Sequence, residues 1–382
     1  MFTNEDFKLN SILNTHYSFM LIIDAHLDMA MNAVEWNRDY TCTVQELRER
    51  EIEKNLSDKR DRGKGTVSLP ELRKGNVGLV VATQLARVTQ RGSAFDGWYS
   101  PAQAWAMTQA QLAWYQAMVD LGEMVQITNA MELNNHIALW ENSEVPNDKK
   151  PVGFILSLEG ADSLINLSYL EKAYGYGLRA IGPAWYGSGR YASGTGTTDG
   201  LTAAGKDLLR EMDNLGMILD ATHLTDKGFD EALALFKGPV WASHHNCRAL
   251  VPHQRQLTDE QILRLAERGA VIGGALDAWM MAPGFLQRQS DPKAFGVTMA
   301  KLVDHWDHIC QLTGNSLHVA FGTDLDGMFG REQSPYDLDT ITDLQLYQDL
   351  LRQRGYGEDD LKNIFHQNWL RCLKQAWQNN IL

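Results

Sequence analysis

The chain has 382 residues, 44% of them hydrophobic and 22% charged, with a formal net charge of −13. That composition belongs to an ordinary globular protein with enough chain for a large core. So acidic a surface repels phosphate backbones and argues against a nucleic-acid partner. No apolar run reaches the roughly 18 residues that a membrane-spanning helix needs.

Residues 1–18, beginning MFTNEDFKLN, place acids early and lack a basic segment followed by an apolar stretch. They read as an N-terminal extension and not as a secretory signal. Residues 19–382 read as a single domain. Cys42, Cys247, Cys310 and Cys372 are scattered, with no CxxC pair. This is not a disulfide framework, and it points to free thiols in a reducing cytoplasm.

Short apolar runs alternate with helical patterns along the chain. The runs are Leu21–Ala25, Val77–Thr83, Val152–Ser157, Leu178–Gly182, Met217–Ala221, Pro239–Ser243, Ala270–Ala275 and His318–Gly322. Between them lie SPAQAWAMTQAQLAWYQAMVDLG, TAAGKDLLREMDNLG, DKGFDEALALFKG, TDEQILRLAERG and DPKAFGVTMAKLVDHWDHICQLTG. Several open on Ser, Thr or Asp and close on Gly, as capped helices do. The segment from Glu35 to Gly65 breaks the rhythm. VQELREREIEK predicts a helix, and SDKRDRGKG predicts a solvated, charged loop. Continuous apolar strands alternating with helices predict a parallel sheet covered on both faces. Eight such strands predict a (β/α)8 barrel, with an open doubly wound sheet as the alternative.

Five of the eight runs lead into polar side chains able to bind metal. In LIIDAHLDMA, Asp24, His26 and Asp28 are spaced two apart, so an extended backbone sets them on one face. The third run leads to Glu159, the fifth to His223, the sixth to His244 and His245, and the eighth to Asp324 and Asp326. A barrel gathers all of these at the C-terminal face of its strands. Three histidines with carboxylates suit a pair of divalent cations, and two ions about 3.5–4 Å apart sharing a water are a device for hydrolysis.

Taken singly, each residue has a plainer reading. His26 alone would be a hydrogen-bonded structural histidine, Glu159 before a glycine a helix cap, and Asp326-Gly327 a turn. Adjacent His244 and His245 cannot both face inward from one strand, and His245 is taken as structural. His305 and His308 read as surface or packing residues. Cys247 has no visible base beside it and is not read as a nucleophile. YGSGRYASGTG lacks the P-loop lysine and reads as a flexible loop near the barrel mouth.

The motifs DAHLD, LPELRKGNVGL, SLEG, GLTAAGKDLLREMDNLGMILDATHLTD, ASHHNCRAL, QRQLTDEQI, ERGAVIG and FGTDLDG together resemble the membrane (renal) dipeptidase family, metallopeptidase family M19 of the amidohydrolase superfamily. The resemblance spans Ile22 to about Leu370. It implies a (β/α)8 barrel with a binuclear zinc site that hydrolyses dipeptides, including those with a C-terminal D-residue, by a metal-held hydroxide. It further implies that His26 and Asp28 hold one zinc, that His223 and His244 hold the other, and that Glu159 bridges both. Asp324 becomes the general acid and base, and Arg255 the clamp on the substrate carboxylate.

Three departures stand out. The family's first motif usually reads HND with a proline soon after, whereas this chain has His26-Leu27-Asp28 without it. Trp185 stands at or next to the place where the family carries a substrate-binding histidine after the fourth strand, and an indole N–H can only donate. No secretion signal or lipid-anchor tail is visible. The expected partner is therefore a small peptide substrate, without nucleic acid or a membrane span, and with a homodimer left open. Two other readings remain: a binuclear amidohydrolase acting on another N-acyl amino acid, lactam or ester, with Trp185 reshaping the pocket, and a non-catalytic binding protein.

Overall fold

Every residue of three of the longest apolar runs is buried, as expected of strands covered on both faces. In the computed structural model, which describes residues 19–89 and 97–378, these runs are β1 (Ile22–Leu27), β2 (Val77–Leu85) and β4 (Val152–Glu159). The others are β5 (Leu178–Gly182), β6 (Ile218–Asp220), β7 (Val240–Trp241), β8 (Ile272–Gly274) and β9 (Val319–Phe321). The proposed extension at residues 1–18 lies outside the described residues.

All pairings are parallel, in the order β7-β6-β5-β4-β2-β1-β9-β8. A bridge between Ala242 and Ile272 closes the circle, with the Ala242 N–H donating to the Val271 carbonyl at 3.0 Å. The fold is the predicted (β/α)8 barrel. A ninth strand that the sequence reading missed, β3 (Met124–Gln126), pairs in parallel with the first three residues of β4, ahead of its pairing with β5. Its three residues are too few, and too polar, to register as an apolar run.

The helices start where side-chain caps fall. Thr202, Thr225 and Thr258 accept from the backbone N–H groups of Gly205, Gly228 and Gln261, opening helices Ala203–Asn214, Asp226–Leu235 and Asp259–Glu267. Two expectations are corrected. The last predicted helix runs only over Ala300–Thr313, because Gly296 at φ +62° and hydrogen-bonded turns occupy the stretch before it. The charged segment before Gly65 is not simply solvated: Asp61 is buried 2.7 Å from Arg38, and Arg62 reaches buried Glu51 at 2.7 Å. That packing ties the segment after β1 to the rim of the barrel.

Two glycines let the strand ends converge. A Cβ at Gly273 or Gly322 would run into the Ser243 carbonyl, so these positions allow β8 and β9 to close on the chain end that carries His244.

Candidate active site

Buried carboxylates lock the strand ends in place before any functional side chain is considered. Asp24 accepts from the N–H of His26 at 3.2 Å and of Thr323 at 2.8 Å, joining β1 to the chain after β9. Asp220 accepts from the N–H of Thr222 and of Ser243, each at 3.0 Å, aligning the segments that present His223 and His244. Asp24 therefore does not join His26 and Asp28 at the site, because Asp28 already lies beyond the strand and Asp24 is committed to this clasp. Asp326 does more than turn the chain: it accepts from the Asp28 N–H at 2.8 Å and from the Tyr40 hydroxyl at 3.0 Å. His223 and Asp324 hold left-handed backbones, at φ +67° and +60°, a conformation costing about 1–2 kcal/mol that tends to persist where function fixes it.

The clasped ends bring six donors together. Glu159 Oε1 lies 3.3 Å from His223 Nε2 and 3.3 Å from His244 Nε2, and those two nitrogens are 3.3 Å apart. The other oxygen, Oε2, lies 3.6 Å from His26 Nε2, which is 3.8 Å from Asp28 Oδ2 and 3.9 Å from Asp324 Oδ1. Glu159, His223 and His244 form one set able to hold a metal ion and His26, Asp28 and Glu159 another, so Glu159 belongs to both, while His26, His244 and Asp324 form a third.

Three acceptor atoms meeting in a buried space repel one another unless a cation lies among them. Donors about 2.0–2.1 Å from a tetrahedral ion stand about 3.3–3.4 Å apart, which is the spacing around Glu159 Oε1. His26 Nε2 and Glu159 Oε1 have no hydrogen-bond partner although both are buried. The residues present thus fit a pair of small divalent ions. Their other edges are already fixed. Thr195 Oγ1 meets His223 Nδ1 at 2.9 Å, Ser243 Oγ meets His244 Nδ1 at 2.9 Å, and the Thr83 hydroxyl donates to Asp28.

The electrostatics differ between the two sides of Glu159. Burial, with the nearby Arg255 charge, drives His223 and His244 well below the ordinary histidine range and leaves them neutral, the form that binds metal. Burial acts the same way on His26, but the facing Glu159 and Asp28 carboxylates outweigh it and raise it well above the ordinary range, a demand for positive charge that a cation between them would meet in place of the proton. Burial raises Asp324 well above its usual range, reinforced by Asp28 and Glu159 and opposed by His26.

A cavity of about 210 Å³ opens above these donors, with Glu159, Asp324, Arg255 and Trp185 in its wall. Arg255 is 2% exposed; its Nη2 donates to the His244 carbonyl at 2.9 Å, while Nε and Nη1 have no partner. The site residues that the resemblance implies, with Trp185, therefore converge on one place, while Asp24 stays apart. His245 is buried outside that wall, and burial pushes the thiol of Cys247 far up, so neither joins the site. His305 is buried, accepting from the Cys247 N–H at 3.1 Å, whereas His308 pairs with Asp259 at 2.8 Å.

The sequence reading missed Tyr186, Asp277 and Gln333, which also line the cavity. Asp277 follows β8 as the other acids follow their strands, so the same rule applied to the seventh run finds it. The glycine-rich loop expected to be flexible is pinned by bridges Tyr186–Thr195 and Ser188–Ser193, which set Thr195 on His223.

Comparison with known proteins bears on the family and the fold. The family model described as membrane dipeptidase, peptidase family M19, matches residues 13–381. An uncharacterized protein in the pqqA 5′ region of Klebsiella pneumoniae is 33% identical over 60% of this chain and 84% of its own. Among solved structures, dipeptidase AC, a metallopeptidase of family M19, superposes with TM-score 0.74 at 24% identity, covering 94% of this chain and 99% of its own. A metallopeptidase from Rhodobacter sphaeroides, bound to a phosphinate mimic of the dipeptide L-Ala-D-Ala, gives TM-score 0.72 at 23% identity, over 94% of this chain and 100% of its own. At these identities the two structures establish the fold. The match along nearly the whole chain shows that the protein belongs to the membrane dipeptidase family, peptidase family M19, and is by that membership an enzyme of the metallodipeptidase type.

Proposed function

We propose that the protein is a binuclear, zinc-dependent dipeptidase that cleaves dipeptides, including those with a C-terminal D-residue. The observation that carries this reading is the pair of donor sets sharing Glu159, one oxygen turned to each. His26 and Asp28 would hold one ion, His223 and His244 the other, with Glu159 common to both. Bound there, the ions would supply Lewis acidity and make water acidic enough to attack near neutral pH.

The chain's own residues do the rest. Arg255, which lines the cavity and leaves Nε and Nη1 without a partner, pairs with the substrate carboxylate and fixes the scissile amide over Glu159. Asp324 stands 3.9 Å from His26 and takes up the proton of the attacking water, then passes it to the leaving amine. Trp185 closes the cavity beside the acyl part of the substrate. The dipeptide mimic in the Rhodobacter sphaeroides structure supports a substrate of this kind. No helix of the described residues is long and apolar enough to cross a membrane. The four free cysteines support a reducing, cytoplasmic location.

The test is to strip the purified protein with a chelator, restore zinc or manganese, and follow amino-acid release from L-L and L-D dipeptides. Activity lost on stripping and regained on restoration is expected. Activity indifferent to the chelator, or no dipeptide cleaved after restoration, refutes the reading.

A further inference from the structure

The cavity over Glu159 does not end at its own wall. Leu85, Trp185, Arg288, Met328 and Gln333 border it and also a second, larger chamber of about 550 Å³. The inner cavity alone falls short of the usual ligand-pocket range of about 300–1,000 Å³, whereas the outer chamber lies within it.

The barrel's strand order fixes the direction in which a substrate would point. Around the closed ring β2 and β7 lie on opposite sides. Arg255 follows β7, while Leu85 ends β2. A substrate whose carboxylate rests on Arg255 therefore carries its acyl part across Glu159 toward Leu85 and the outer chamber. That chamber is built from the chain after β1 and β2, including Trp36, Lys59, Arg87 and Trp98, and from Arg288, Met328, Glu332 and Gln333 after β8 and β9. Each of its acids already has a partner: Glu35 accepts from Gln111 at 3.2 Å, Asp58 pairs with Arg62 at 3.0 Å, Asp61 with Arg38 at 2.7 Å, and Glu332 accepts from the Gly330 N–H at 3.2 Å.

Two properties select the chemistry. First, no acid of the inner cavity is left to receive a terminal ammonium. Asp28, Glu159 and Asp324 belong to the donor sets, and the oxygens of Asp277 accept from Trp279 Nε1 at 2.6 Å and Gln333 Nε2 at 3.0 Å. The passage beyond is lined by Leu85, Trp185, Met328 and the cation Arg288. An ammonium loses its water there without compensation, whereas a neutral amide does not. Second, the outer chamber presents aromatic faces held by cations: Lys59 stands 5.5 Å from the Trp36 ring centre and Arg87 4.8 Å from that of Trp185.

We infer that the outer chamber is an acyl-binding subsite, and that the favoured substrate is an N-acylated peptide with an aromatic cap, cleaved at its last amide. This rests on the hydrolase reading above and narrows its substrate. The step consumes one water: the C–N bond breaks, a C–O bond forms on the acyl carbon, and the proton leaves with the released amino acid.

The test compares L-Ala-D-Ala, N-acetyl-L-Ala-D-Ala and N-(2-naphthoyl)-L-Ala-D-Ala with the zinc-restored full chain. The kcat/KM is expected to rise along this series, by up to about tenfold from first to last, the worth of one aromatic contact. Trp98→Ala, and separately Arg288→Ala, should lower the ratio of naphthoyl to free dipeptide. Binding of the naphthoyl compound to chelator-treated protein, read by its fluorescence, separates the two claims. Tight binding weakened by Trp98→Ala, without hydrolysis of any compound, sinks the peptidase reading and keeps the subsite. Efficient hydrolysis of the free dipeptide, with a ratio near one unchanged by either substitution, sinks the subsite and keeps the peptidase.

Discussion

Replacing Arg255 by methionine isolates the carboxylate clamp. The side chain is buried, its Nη2 is spent on the His244 carbonyl, and Nε and Nη1 are left for a ligand. Burial lowers its pKa, with Tyr186, Asp324 and Glu159 working in the opposite direction, so it is a cation poorly compensated until an anion arrives. A hydrogen bond to a charged group contributes about 1.5–3 kcal/mol, so losing two costs about 3–6 kcal/mol and about 10²–10⁴ in kcat/KM. The assay compares a dipeptide with its C-terminal amide. Wild type should prefer the carboxylate by that factor, and Arg255→Met should lose the preference because it mainly affects the acid. Arg255→Lys should recover part of it, since a point charge replaces the fork. A preference that survives Arg255→Met unchanged would refute the clamp.

Burial raises Asp277 from 3.8 to about 7, against hydrogen bonds from Trp279 and Gln333. The fold favours its neutral form, so its contribution is complete below about pH 4 and lost as pH climbs through about 7, a change on the order of 4 kcal/mol. Asp277→Asn should therefore gain on wild type in urea midpoint between pH 5 and pH 8 in chelator-treated protein; a constant gap would contradict this. Zinc added to stripped protein should raise its thermal midpoint, with about 2.7 kcal/mol gained when free ion exceeds Kd about a hundredfold. An unchanged midpoint in calorimetry would argue against the site. Thr195→Val removes the partner of His223 Nδ1 and should weaken ion binding about 10–100-fold in chelator competition. Unaltered affinity would show that the contact does not orient the ligand.

The eight barrel strands and the convergence of their ends were legible because both rest on short-range patterns. Runs such as VGFILSLE must be buried on both faces, and a barrel brings the residues after such runs to one end. The groups holding the ligands were harder to read. Thr195 reaches His223 through a glycine-rich loop whose bridges depend on residues far along the chain, and Asp326 supports Asp28 across 298 positions. Asp24 shows the limit of the two-residue rule: the spacing suits a third ligand, but Thr323 in the segment after β9 claims its carboxylate. The helix expected to begin at Asp291 failed for a local reason, the positive φ of Gly296. The outer chamber left no sequence signal, because its walls come from segments that are unrelated until the barrel closes.

The central claim is that Glu159 is shared between two ion sites. Mass-spectrometric metal analysis of zinc-restored wild type and Glu159→Ala tests it most directly. The account predicts about two ions per chain in wild type and loss of both in the variant, since Glu159 belongs to the donor set proposed for each ion. A variant that keeps both ions, or a wild type that binds at most one, would contradict it.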